Sequence, residues 1–120
     1  MLKSYKELIV WQKAMGLAEE IYLITKGFPK EELYALTNQI RRAIVSVPSN
    51  IAEGQARKST AEFRQFLSIA QGSLAEVETQ LLLAIRLKYQ TERQCLKAMQ
   101  LREEISKMLT SLQKKLSEEK

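Results

Sequence analysis

The chain contains no histidine and no aspartate, and it has a single cysteine among its 120 residues. Without histidine and aspartate, one chain cannot form a Ser-His-Asp triad, a Cys-His pair or the Glu-x-x-His di-iron motif of some helical bundles. Cys95 alone can form neither an intrachain disulfide nor a thiolate zinc site, and it suits a reducing compartment. The sequence therefore predicts a protein that is not an enzyme and that holds no metal or cofactor.

Long apolar runs are also missing from the sequence. The longest uncharged stretches, 43–52 and 65–75, are shorter than the ~18 residues that a membrane-spanning helix needs. Charge enters at Lys3, before any apolar run that could form the core of a signal peptide. We therefore expect a cytoplasmic protein with no membrane partner.

The apolar residues instead recur every three or four positions, which is typical of helices. Capping boxes predict the start of the third helix at Ser59, with Glu62, and the start of the fourth helix at Thr91, with Gln94. The connections are only a few residues long, and short connections place consecutive helices side by side in opposite directions. The sequence predicts one all-α domain over residues 1–120, an antiparallel up-down-up-down four-helix bundle.

Glycine and proline set the predicted ends of the first two helices. Gly27, in the left-handed conformation, and Pro29 end the first helix. The second helix is predicted from about Lys30 to Glu53, with Gly54 closing it. Pro48 is expected to kink this helix rather than end it, because the apolar row resumes beyond the proline.

The first helix has two neighbouring apolar rows that together cover roughly half of its circumference, whereas a surface helix usually has a stripe of about 100°. One row is Leu8, Trp11, Met15, Ala18, Tyr22 and Thr25, and the other is Val10, Ala14, Leu17, Ile21 and Ile24. Two interpretations are open: the helix is deeply seated in the bundle, or it also forms a subunit interface.

A polar row lies on the second helix at spacings that place its members on one face. The row consists of Gln39, Arg42, Ser46, Asn50 and Glu53. It is either a solvated face or a hydrogen-bonded network between subunits. Gly72 falls opposite the core row of the third helix, where it is either a tolerated surface glycine or a point at which another helix approaches closely.

Positive charge is in excess, with 19 Lys and Arg against 14 acidic residues, a formal net charge of +5 and a pI near 9.4. A basic domain has the electrostatic footprint of a nucleic-acid-binding protein, because phosphate contacts need only cations on a rigid surface. The predicted phosphate-binding residues are Arg41, Arg42, Arg57, Lys58 and Arg64. Arg41 and Arg42 lie some three turns back along the second helix, so one continuous patch is not assured.

Two further patterns bear on nucleic-acid binding. A second exposed basic row is expected on the fourth helix, formed by Arg93, Lys97 and Arg102. The aromatic residues do not add to the argument, because Trp11 and the two phenylalanines of the third helix lie on core rows. They leave no stacking platform for single strands.

Several segments resemble one known family. They are Leu8-Ile9-Val10-Trp11-Gln12-Lys13-Ala14, Phe28-Pro29 with Glu32-Leu33-Tyr34, Gln39-Ile40-Arg41-Arg42-Ala43, SVPSNIAEG at 46–54 and EFRQFLSIAQGS at 62–73. The family is the bacterial four-helix-bundle proteins encoded in intervening sequences of 23S ribosomal RNA genes, sometimes labelled ribosomal protein. The accessory variability proteins of diversity-generating retroelements are related to it. The similarity spans roughly residues 5–89, and the fourth helix matches only in character.

The resemblance implies a homopentameric barrel of up-down bundles with a basic surface that binds RNA or DNA, and no enzymatic activity. It offers one explanation for the wide arc of the first helix, the polar row and Gly72, which would all serve subunit contacts. Two functions stay open at this point: an oligomeric nucleic-acid-binding accessory protein, or an oligomeric scaffold whose partner is a nucleic-acid-processing protein.

Overall fold

The computed structural model describes residues 4–119. Its helices are α1 (Ile9–Thr25), α2 (Leu36–Gln55), α3 (Thr60–Arg86) and α4 (Glu92–Ser117), with short 3-10 turns at Tyr5–Glu7 and Lys30–Glu32. Each helix packs against the next, and α1 packs against α4, so the four helices form a closed ring of 48 × 24 × 20 Å. No strand occurs in the described part of the chain. The predicted all-α four-helix bundle is confirmed.

Side chains of all four helices fill the centre of this ring. The largest fully buried side chains are Leu17, Ile21, Ile40, Ile44, Val47, Ile51, Leu67, Leu74, Val77, Leu81, Ile105 and Leu109. Each such side chain contributes about 1.5–3 kcal/mol when it leaves water. Within residues 4–119, no helix is long and apolar enough to span a membrane.

Ion pairs between α1 and α4 show how these two helices align. The Lys13 ammonium lies 3.0 Å from the Glu104 carboxylate, and the Lys97 ammonium lies 3.6 Å from that of Glu20. From one ion pair to the next, the residue number increases in α1 and decreases in α4. Two antiparallel helices show this order. These pairs are mostly exposed, so they define alignment more than they add stability.

The two apolar rows of α1 have different surroundings. The row from Val10 to Ile24 is buried, whereas Trp11 and Ala18 are only partly buried and Met15 and Tyr22 are each 40% exposed. Within the described chain, only the row from Val10 to Ile24 is therefore buried along its whole length. The interface interpretation of the second row stays a prediction.

The boundaries of α2 differ from those predicted. Residues 30–32 form a separate 3-10 turn, and α2 begins at Leu36, whose amide donates to Glu32 Oε1 at 3.2 Å. Since α2 extends to Gln55, Gly54 lies inside the helix instead of closing it. The left-handed conformation predicted for Gly27 is wrong as well. None of the four glycines has a positive φ, and the Gly27 amide closes a tight turn onto the Ile24 carbonyl at 3.1 Å.

The helix continues through Pro48, which is buried. The Asn50 side-chain amide donates to the Ser46 carbonyl at 2.7 Å and to the Ser46 hydroxyl at 2.9 Å. Pro48 has no N–H to donate to the carbonyl of Ile44. The Asn50 amide does not replace this donor, because it binds Ser46. The kink stays a prediction.

Both predicted helix starts are capped. At Thr91 the capping box is complete, since its side chain and that of Gln94 each accept the other residue's backbone N–H. At Ser59 the hydroxyl accepts from the Glu62 amide at 3.1 Å and donates to the Glu62 carboxylate at 3.1 Å. The sequence signals therefore located the start of α3 and α4 to within a residue.

Candidate nucleic-acid interface

The turn between α2 and α3 is held by a close approach of the two helices. A side chain at Gly54 would place its Cβ 2.8 Å from Cβ of Phe66 and 2.9 Å from Cδ1 of Phe63. Such separations are shorter than van der Waals contact, so only glycine allows this packing. The short connection after Gln55 therefore lies on a rigid support.

Arg57 lies on the outside of this support. Its guanidinium donates to the Glu53 carboxylate at 2.7 Å, and its Cζ lies 4.9 Å from the centroid of the Phe66 ring. An exposed ion pair of this kind contributes only about 0.2–1 kcal/mol. Arg57 is thus oriented by its neighbours while 42% of its side chain stays exposed.

Lys58, the next residue, and Arg64, near the start of α3, are exposed too. Neither forms an ion pair with any residue from 4 to 119. Ser59 fixes the start of α3, and this start carries the positive end of the helix dipole. Arg57, Lys58 and Arg64, here called the turn cluster, therefore place three cations on a short, well-packed segment.

Arg41 and Arg42 are separate from the turn cluster. The Arg41 Nε–H donates to the Thr25 hydroxyl at 2.8 Å, and its Cζ lies 4.6 Å from the centroid of the Tyr22 ring, so this residue joins α2 to α1. Arg42 is exposed and has no ion pair among the described residues. Arg57 lies fifteen positions after Arg42, which corresponds to about 22 Å along a helix axis. The five predicted phosphate-binding residues thus do not form one patch.

The expected basic row on α4 is wrong in one member. Arg102 is 8% exposed, and its guanidinium lies 3.0 Å from the Glu103 carboxylate and 3.5 Å from that of Glu78. Its Nε is buried without a hydrogen-bond partner. Periodicity missed this because Arg102 faces α3, and one of its two acidic partners, Glu78, comes from that helix.

The predicted interface row is partly occupied by bonds within the chain. The Ser46 hydroxyl accepts from Asn50 and from the buried Ser73 hydroxyl, the latter at 2.9 Å, and Glu53 pairs with Arg57. The remaining members, Gln39 and Arg42, are exposed. Gly72 is exposed too, and no described atom lies within 4 Å of the position that its Cβ would take. The assignment of these residues to a subunit interface stays a prediction.

Sequence analysis left open an interface on the second apolar row of α1, but it missed that this row continues onto α2 as an exposed apolar face. One groove of about 650 Å³ includes Tyr22, Leu33, Tyr34 and Val45, and another of about 350 Å³ includes Val45 and Trp11. Tyr34 is 90% exposed. The doubled apolar row of α1 was the available signal. The α2 residues carried none, because Val45 lies outside the core row.

A hydrogen bond links the far ends of α2 and α3. The Tyr89 hydroxyl donates to Glu32 Oε2 at 2.6 Å, and the Tyr89 ring lies 5.7 Å from that of Phe28. This bond lowers the pKa of Glu32, with a further contribution from the Leu36 amide. The same bond to Glu32 is the main reason that the pKa of Tyr89 is raised.

Few features of the described chain could support nucleophilic catalysis or metal binding. Cys95 is fully buried, and burial raises the pKa of its thiol, so the nucleophilic thiolate is disfavoured. No group of acidic or cysteine side chains in the described range could hold a metal ion. The site that the structure presents is therefore a charged surface.

Comparison with known proteins shows to which family the chain is related. The model of the family described as 23S rRNA-intervening sequence protein matches residues 6–111. A crystal structure of a protein of unknown function from the S23 ribosomal protein family of Bacteroides thetaiotaomicron VPI-5482 is similar, with 31% identity and a TM-score of 0.82 over 88% of this chain and 99% of that chain. No curated protein matches. The relation to retroelement accessory proteins stays a prediction. The chain belongs to the 23S rRNA-intervening sequence protein family.

Proposed function

We propose that this protein is a non-enzymatic, oligomeric nucleic-acid-binding protein that contacts RNA or DNA phosphates through the turn cluster. The observation that carries the proposal is that Lys58, in the turn after Arg57, and Arg64, near the start of α3, are exposed and form no ion pair in the described chain. Exposed cations on such a surface bind phosphate without reading the base sequence.

The overall charge supports the same proposal. The formal net charge of +5 attracts polyanions at long range, and the attraction weakens as salt screens it. The family description names 23S rRNA, and the similar crystal structure is assigned to a ribosomal protein family. These names apply to the relatives and support, for this chain, a role near nucleic acid in the cytoplasm.

Oligomerisation is the second element of the proposal. The exposed apolar face between α1 and α2, which includes Met15, Tyr22 and Val45, is of the kind that self-association covers. We place the interface there. An oligomer, such as the pentamer implied by the family resemblance, would bring several turn clusters to one nucleic acid and raise the affinity through avidity.

Two variants of equal charge test the turn cluster. One carries Arg57→Gln, Lys58→Gln and Arg64→Gln. The control carries Lys107→Gln, Lys114→Gln and Lys115→Gln, three exposed α4 residues that form no ion pair in the described chain. Each variant removes three charges and lowers the formal net charge from +5 to +2.

Affinity for a labelled hairpin RNA and a labelled duplex DNA is measured by fluorescence anisotropy, and oligomer mass by light scattering. We expect the turn variant to lose about tenfold or more in affinity at unchanged mass, and the control to lose much less. Equal losses in the two variants would show that net charge alone acts. Unchanged binding by the turn variant would move the site elsewhere.

A scaffold for a nucleic-acid-processing protein is the second candidate function. The highly exposed Tyr34, in a groove with Tyr22 and Leu33, favours it because aromatic residues often anchor protein interfaces. If the intact oligomer binds neither nucleic acid at low salt, the first proposal fails and the scaffold is left.

A further inference from the structure

One charged side chain lies in the row of residues that α4 buries in the bundle. The buried residues of α4 recur at steps of three, four or seven positions, so they share one face of the helix. They are Cys95, Ala98, Arg102, Ile105, Leu109 and Leu116. Arg102 is the charged member of this row, and the proposed phosphate site does not use it.

The burial of Arg102 is only partly compensated. Its guanidinium lies 3.5 Å from the carboxylate of Glu78 on α3 and 3.0 Å from that of Glu103, its neighbour on α4. Its Nε is buried and has no hydrogen-bond partner in the described chain. An unpartnered buried donor reduces stability, and apolar residues of similar volume often replace a buried ion pair without loss. Stability therefore gives no reason for an arginine at this position.

A polar residue in an apolar row specifies the register of the helices in coiled coils, where register means which turn of one helix lies against which turn of the other. Here Glu78 is the acid that relates α4 to α3, because Glu103 moves together with Arg102. A shift of α4 by one heptad, about 10 Å, would put Leu109 in the place of Arg102. The same shift would move Arg102 away from Glu78 into the fully buried place of Cys95. An unpaired charge in such a place is strongly unfavourable.

We infer that the pair of Arg102 and Glu78 fixes the register of α4 against α3, at a cost in stability. Two hydrogen bonds between Gln71 and Ser106, of 3.0 and 3.1 Å, join the same helices in the same register. Both of these residues are partly exposed, so water can replace their partners after a shift. Arg102 is buried and has no such replacement. The inference is independent of the proposed nucleic-acid binding, because the turn cluster lies on α2 and α3.

The thiol of Cys95 reports the register of α4, because it is fully buried about two turns before Arg102. After a shift that brings Leu109 toward the end of α3, the first turns of α4 would have to unwind into the short connection, and Cys95 would leave the core. The rate at which iodoacetamide alkylates Cys95 in the full-length protein, followed by mass spectrometry, therefore measures how often α4 leaves its register. Thermal unfolding measures the stability of the whole bundle.

The two acids that pair with Arg102 provide a matched comparison. Glu78→Gln and Glu103→Gln remove the same charge, and the Glu103 carboxylate is the nearer one. If the pair fixes the register, Glu78→Gln should accelerate the alkylation of Cys95 about fivefold or more, and Glu103→Gln less than about twofold. Equal acceleration in the two variants, a larger effect of Glu103→Gln, or no effect of Glu78→Gln would overturn the inference.

Arg102→Met separates register from stability. Its Tm should equal or exceed that of the natural chain, while Cys95 should be alkylated about tenfold faster or more. A lower Tm would make Arg102 a stabilising residue, and an unchanged alkylation rate would show that it does not fix the register; either result overturns the inference. Lys13→Met is the control, because it removes a cation that pairs with Glu104 of α4 at the surface. It should leave the alkylation rate unchanged, and an acceleration equal to that of Arg102→Met would also overturn the inference.

Discussion

The two ends of the α2–α3 pair differ although the same two helices form them. At the turn end, the missing side chain of Gly54 allows the helices to touch, and the turn cluster lies outside that contact. At the far end, Gln39, Glu76 and Gln80 line grooves between the helices. The comparison teaches that close packing supports a turn with exposed cations, whereas looser packing leaves grooves lined by polar side chains.

The two ends are also joined differently. A short covalent connection after Gln55 closes the turn end. The far end depends on the hydrogen bond from Tyr89 to Glu32, which links the segment before α2 to the segment after α3. One substitution or a change of pH can therefore weaken the contact at the far end. The stability of the turn end depends instead on how closely the two helices pack.

The largest expected effect comes from filling the space at Gly54. We expect Gly54→Ala to lower the free energy of unfolding by about 1–2 kcal/mol, because overpacking of about 1–3 kcal/mol outweighs the gain in helix propensity. The obstructing Cβ of Phe66 is fixed to its backbone and cannot rotate away. Gly54→Leu should cost more. Urea unfolding measures both.

Gly72→Ala is the matched control, since this helical glycine has open space around it in the described chain. It should raise the free energy of unfolding by about 0.5–1 kcal/mol. If both alanine variants stabilised the protein, the close approach at the turn would be wrong. If Gly72→Ala reduced both stability and oligomer mass, Gly72 would lie in a subunit interface, as its place in the predicted interface set requires.

A smaller effect is expected at the far end, from Tyr89→Phe. Because the folded state lowers the pKa of Glu32, the stabilisation from this carboxylate is present above its unfolded pKa and is lost as the pH falls through its folded pKa. The Tyr89→Phe variant should have the lower Tm at neutral pH, and the difference should shrink on acidification. Unfolding curves over a pH series measure it.

Alkaline pH provides a second arm of this experiment. The pKa of Tyr89 is raised, so its contribution is present below the unfolded pKa of tyrosine and is lost as the pH rises through the folded pKa. Tyr34→Phe is the control, because the Tyr34 ring is highly exposed. Equal Tm values for the natural chain and Tyr89→Phe at every pH would show that the ring contact with Phe28, which phenylalanine keeps, and not the hydrogen bond, holds the far end.

The smallest expected effect concerns Glu53, which engages Arg57 at the turn end. Glu53→Gln frees the guanidinium and should strengthen binding to duplex DNA about two- to fivefold, since a phosphate no longer competes with an exposed ion pair. Glu19→Gln, an exposed and equally charged change on α1, controls for net charge. Equal gains in the two variants would mean that Glu53 does not restrain Arg57.

The fold was predictable because each helix carries its own apolar period and two of them carry their own caps. Ser59 and Thr91 act on amides three residues away, so the signal is local. The start of α2 was not predictable in this way. Its first amide, that of Leu36, donates to Glu32, four residues earlier, in a short turn that sequence alone merges with the helix.

The site was predictable only in part, because the partner of a charged residue comes from another helix. The sequence predicted both Arg41 and Arg64 as phosphate-binding residues. In the structure, Arg41 donates to Thr25 of α1, whereas Arg64 has no partner in the described chain. Likewise, the sequence predicted that Gly54 closes its helix and left a close helix approach open only for Gly72. Only the position of α3 shows that Gly54 is the glycine at the close approach.

The salt dependence of binding tests the central claim most directly. For the natural chain and the two charge-matched triple variants, the association constant for duplex DNA is measured across a salt series. Each phosphate contact contributes about −0.9 to the slope of log K against log salt concentration. The account predicts that the turn variant loses up to roughly three such contacts per bound subunit and that the α4 control keeps the natural slope. Identical slopes for the natural chain and the turn variant would contradict it.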